Sequence, residues 1–99
     1  MFPTSALFIF LAAASTAVAQ TAANCSVKGY DIGTKPAFLT NPNITTATGC
    51  KGFCADTAYD KCQSFAVGPS CLLYNVTVTG NVNVVPASPW TFFDAGCKI

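Results

Sequence analysis

The six cysteines at positions 25, 50, 54, 62, 71 and 97 are the side chains with the most chemistry to offer in this 99-residue chain. Thiols in that number ligate metal, act as nucleophiles or pair as disulfides, and the redox compartment decides among the three. Metal sites and thiol catalysis normally lean on histidine, and the chain has none. Arginine and glutamate are absent too, which leaves Asp31, Asp56, Asp60 and Asp94 as the only side-chain carboxylates. Asp56 and Asp60 fall on adjacent helical turns, a spacing at which an acid/base pair can form. A solvated helix end explains them more simply, and Asp94 reads as a turn anchor. The inventory therefore predicts no catalytic residues, no metal ligands and no cofactor.

The leader selects the disulfide reading. Apolar residues run from Ala6 to Ala14, the length of a signal-peptide core, and Ala17-Val18-Ala19 supplies a small-residue cleavage site. That stretch is too short for a membrane span, although the usual Lys or Arg is missing ahead of it. Residues 1–19 are expected to be removed, leaving residues 20–99 as one domain secreted to the outside or to the cell wall. Of residues 1–19, 14 are apolar, against 37 of the 80 that follow, so the apolar excess belongs to the leader. All six cysteines lie in the mature part. A core of that size barely offsets its conformational entropy, and cross-links are the expected remedy.

The positioning elements follow from periodicity. Ala47, Cys50, Phe53, Cys54 and Thr57 share one helical stripe, with Lys51 and Asp56 opposite, which predicts a helix from Ala47 to Tyr59. Thr46 or Thr48 can cap it, and Gly52 weakens it. Cys50 and Cys54, side by side on that stripe, make a poor disulfide, but many other pairings stay open. Gln63 to Val67 and Cys71 to Val76 read as strands around a Gly68-Pro69-Ser70 turn. Val27 to Ile32 is a first strand, Pro36 to Asn43 a loop, Val76 to Val84 a β-rich stretch interrupted by Gly80, and Trp90 to Asp94 a closing strand. Phe53, Phe65, Leu73 and Phe92 read as core.

The motifs Cys50-x3-Cys54-x7-Cys62-Gln63-Ser64-Phe65, Gly68-x2-Cys71-Leu72-Leu73-Tyr74 and Pro89-Trp90-Thr91-Phe92-Phe93-Asp94-x2-Cys97 occur in this order. Together they resemble the PAN/apple domain, most closely its small secreted fungal forms, over about Cys25 to Cys97. Phe93 stands where that family commonly has Tyr, and Gly33 to Asn43 has no counterpart in it. The resemblance implies an α+β fold, one helix packed on a curved antiparallel β-sheet and stapled by disulfides. It also implies the nested pairs Cys25–Cys97, Cys50–Cys71 and Cys54–Cys62.

Function is less legible. Five lysines and four aspartates spread along the chain make no basic patch, which argues against nucleic acid as a partner. A hydrophobin-like surfactant would need adjacent cysteine pairs, and none occur. Asn24, Asn43 and Asn75 each begin an N-x-[ST] sequon and are candidate glycosylation sites. PAN/apple domains bind proteins or carbohydrates, so the resemblance implies a binding module for glycans or extracellular proteins, at the fungal wall or, effector-like, at a host interface; the inventory makes it non-catalytic, and a monomer is expected. Trp90, Tyr30 and Tyr59 are the candidate ligand-binding aromatics, although Trp90 reads more readily as a core plug. The alternative is a structural or matrix protein without a discrete ligand site.

Overall fold

The structure, a computed structural model, describes residues 23–56 and 61–99. The leader, Tyr59, Asp60 and the expected last turn of the helix lie outside the described residues. Six strands occur among the described residues: β1 (Val27–Asp31), β2 (Leu39–Asn41), β3 (Ser64–Val67), β4 (Cys71–Tyr74), β5 (Val82–Val84) and β6 (Thr91–Asp94). The helix α1 (Ala47–Asp56) lies between β2 and β3 in the chain.

Thr46 starts the helix. Its Oγ1 accepts the Gly49 amide at 3.1 Å and its carbonyl accepts the Cys50 amide at 2.9 Å, satisfying donors that a helix start would otherwise leave free. Of the predicted stripe, Cys50 and Cys54 are buried, while Ala47 and Phe53 pack beside them. The helix lies against β3 and β4.

The strands form one sheet in the order β2-β4-β3-β6-β1-β5, every neighbour antiparallel. Register assigns the faces. Phe65 stands opposite Leu73 and Phe93, and Leu73 opposite Leu39. Because side chains alternate, Ala66 falls on the other face, opposite Leu72 and Phe92, with Phe92 opposite Val27. Two cores result. Phe65, Val67, Cys71, Leu73 and Phe93 join Cys50 and Cys54 under the helix. Ala66, Tyr74, Phe92 and Val78 form the second, on the helix-free side. The central strand β3, covered on both faces, is buried at all four positions.

The disulfides are Cys25–Cys97, Cys50–Cys71 and Cys54–Cys62, the pairs that the resemblance implies, and no cysteine is free. The first joins the segment before β1 to the one after β6, and the second joins helix to β4.

Two expectations need correction. The loop expected from Pro36 to Asn43 contains β2, whose Leu39, Thr40 and Asn41 pair with Leu73, Leu72 and Cys71. Prolines at 36 and 42 mask so short an edge strand, which exists only because β4 offers a free edge. In the Val76–Val84 stretch only Val82–Val84 is strand. Val76 and Val78 instead pack on the second core from a loop, and Gly80 turns the chain with φ of 79°.

Candidate functional site

Trp90 is set by its backbone. Its amide donates to Ser88 Oγ at 3.0 Å, and its carbonyl accepts the Gly29 amide at 3.2 Å. The Ser88 hydroxyl in turn donates to the Gly29 carbonyl at 2.6 Å, so one buried serine fixes the start of β6 against β1. The indole is half-buried against the second core. Gly68 permits its seating: a Cβ there would overlap the Pro89 carbonyl and come within 3.3 Å of the Trp90 ring.

Tyr30 and Asp31 come from the end of β1. Tyr30 is 45% exposed. Asp31 is half-buried, its Oδ1 accepting the Gly33 amide at 2.9 Å in an Asx turn. Its Oδ2 accepts the hydroxyl of Tyr74 at 2.9 Å, across 43 positions of sequence. Tyr74 is only 1% exposed. Burial raises its pKa well above the ordinary tyrosine value, and the hydrogen bond to Asp31 and that carboxylate's charge raise it further. The phenol therefore keeps its proton and acts as a donor.

These residues meet. Tyr30, Asp31, Leu72, Tyr74, Trp90 and Phe92 line a cleft of about 240 Å³ on the helix-free face. Trp90 and Tyr30 thus occupy one site, while Tyr59 lies outside the described residues. Asp31 and Tyr74 were not legible as site residues, because only the sheet order brings them together. The Asp31-x-Gly33 turn signature was the one local sign of Asp31's role.

A second depression, of about 320 Å³, is lined by Ala23, Gln63, Thr77, Thr79, Asp94, Ala95 and Gly96. Asp94 is committed to structure there: Oδ1 accepts the Val78 amide and Oδ2 the Asn24 amide, each at 2.8 Å. Neither depression brings two carboxylates together, and Asp56 is exposed at the helix end. Among the sequon asparagines, Asn43 and Asn75 are exposed. Asn24 is half-buried, its Nδ2 donating to Thr79 Oγ1 at 2.6 Å.

The first cleft offers aromatic surface, a hydroxyl donor already in use and one carboxylate acceptor. That set suits recognition of a ring-bearing, hydrogen-bonding ligand. No helix among the described residues is long and apolar enough to cross a membrane. The fold and site define a small, disulfide-stapled α+β domain with an aromatic cleft. No protein-family model matches the chain, and no curated protein or solved structure matches it.

Proposed function

We propose that the protein is an extracellular, non-catalytic binding module of PAN/apple type whose helix-free cleft takes carbohydrate. The observation that carries this reading is the convergence of Trp90 and Tyr30, 60 residues apart in sequence, on one cleft beside Asp31. Carbohydrates present an apolar C–H face and a hydroxyl rim, and an aromatic wall with an adjacent carboxylate acceptor answers both. Tyr30, 45% exposed, sets this chain apart from one with every aromatic buried, as a purely structural protein would have. Three disulfides suit an oxidising compartment. A chain without His, Arg or Glu is poorly equipped for acid–base catalysis.

The test is retention of the oxidised protein on insoluble chitin, cellulose and β-glucan. Wild type is expected to be retained on at least one of them. Tyr30→Ala is expected to weaken retention while leaving near-UV circular dichroism unchanged, because Tyr30 lines the cleft and is exposed. Equal retention of wild type and Tyr30→Ala on every polysaccharide would remove the cleft from consideration. Trp90→Ala is the less clean variant, since the indole also covers the second core.

A further inference from the structure

Asp31 is the one charged side chain in the lining of the cleft. The Asp31 carboxylate is half-buried, and its partners are the Tyr74 hydroxyl and the Gly33 amide. Among the described residues no lysine pairs with it. Each carboxylate oxygen can accept a further hydrogen bond, and an ammonium donor would make that bond charge-assisted. The other lining residues sharpen the preference. Of the lining aromatics Tyr74 and Phe92 are each 1% exposed, which leaves the half-buried Trp90 as the ring whose face can attract a cation. Carboxylate and ring face therefore favour the same ligand property, a positive charge.

Size and shape narrow it. At about 240 Å³ the cleft is smaller than the ~300–1,000 Å³ of a drug-sized ligand site, so it admits one ring rather than several. The half-buried Trp90 supplies flat area that a pyranose covers and a slim aliphatic stem does not.

We infer that the cleft selects an amino sugar whose amine is free and protonated, the sugar ring lying on Trp90 and the ammonium meeting Asp31. The inference rests on the carbohydrate reading above and narrows it to glucosamine-type units. An N-acetylated unit leaves the Asp31 charge unanswered, and an acidic sugar is repelled by it.

Trp90 is the chain's only tryptophan, so intrinsic fluorescence reports directly on this cleft. The experiment titrates the oxidised protein with a glucosamine tetramer, an N-acetylglucosamine tetramer and a lysine-containing tetrapeptide, each at low and at high ionic strength. The glucosamine tetramer is expected to bind about tenfold more tightly than its N-acetylated counterpart, the worth of one charge-assisted contact. Asp31→Asn is expected to erase that preference while near-UV circular dichroism stays unchanged. Should Asp31→Asn fail to fold, the wild-type comparison decides alone, since the preference must also fade with added salt. Equal affinity for the two sugars would overturn the amine selection and leave the carbohydrate reading standing. Binding of the lysine peptide without either sugar, or of none of the three, would overturn the amine selection, and the carbohydrate reading falls with it where chitin, cellulose and β-glucan also fail to retain the protein.

Discussion

On one face of the sheet Phe65, Val67, Cys71, Leu73 and Phe93 lie under a helix that the Cys50–Cys71 disulfide bonds to β4; on the other, Ala66, Tyr74 and Phe92 lie under loop. The covered face is closed by shape and covalent bonds: Phe65 and Phe93 stack with centroids 5.2 Å apart, and the helix sulfurs are buried. The other face is closed by single hydrogen bonds. Ser64 Oγ donates to the Val76 carbonyl at 2.6 Å, Asp94 accepts the Val78 amide, and Tyr74 donates to Asp31. It even retains an orphan, the Oδ1 of Asn81, which has no partner although the residue is 3% exposed. Such a group costs about 1–3 kcal/mol. The difference teaches where a domain this small can place a site: one face supplies the rigidity, and the other is left open enough to have a cleft.

The largest effect should come from removing the covalent closure. In the chain-entropy model the disulfides stabilise by about 4.4, 3.4 and 2.6 kcal/mol for Cys25–Cys97, Cys50–Cys71 and Cys54–Cys62 in turn. Together they exceed much of the 5–15 kcal/mol that a typical domain has to lose, roughly speaking. Full reduction is expected to unfold the protein at about 37 °C, read as loss of near-UV circular dichroism. A reduced protein that keeps that signal would show that the helix face does not depend on its cross-links.

A single core truncation comes next. Phe65 is fully buried at the centre of the covered face, so Phe65→Ala should lower stability by about 3–5 kcal/mol in urea titration. On the other face, Asp94→Ala strands the Asn24 and Val78 amides, for a loss of about 2 kcal/mol. Its fingerprint is local: Val78 should lose hydrogen-exchange protection before the strand amides of β3 do. If both regions lose protection together, the loop is part of the same cooperative unit as the covered face, and the contrast between the faces fails.

The helix, the β3–β4 turn and the closing strand were legible because each is written locally, in the Cys50 and Cys54 stripe, in Gly68-Pro69-Ser70 and in the alternation around Phe92. Strand β2 was not, because Leu39–Asn41 is too short to carry a period and borrows its geometry from β4. The valines from 76 to 84 misled for a related reason. Strand propensity describes a fit to a half-buried surface, and Val76 and Val78 find that surface from a loop held by Asp94. Trp90 and Tyr30 could be named one at a time as exposed-aromatic candidates, but their meeting is a property of sheet order. So is the Tyr74–Asp31 bond, since β1 and β4 are not even neighbours in the sheet.

The smallest effect is also the most specific. Tyr74→Phe deletes one hydroxyl and its hydrogen bond to Asp31, with the buried ring retained against Phe92 at 5.6 Å, and should cost about 1 kcal/mol near neutrality. Its pH dependence separates it from a packing defect. In the folded protein burial, then the bond to Asp31, keep the phenol protonated far into the alkaline range, whereas in the unfolded chain it ionises near the ordinary value of 10.0. The folded state therefore holds one more proton above that pH, and stability falls as pH rises. Wild type should keep the full contribution of Tyr74 below about pH 9 and lose it progressively above about pH 10. Tyr74→Phe, with nothing there to ionise, should show a shallower alkaline decline, so that the two urea midpoints converge with rising pH. Parallel curves would mean that Tyr74 is not held protonated by its site, and that the Asp31 carboxylate is freer in the cleft than its hydrogen bond implies.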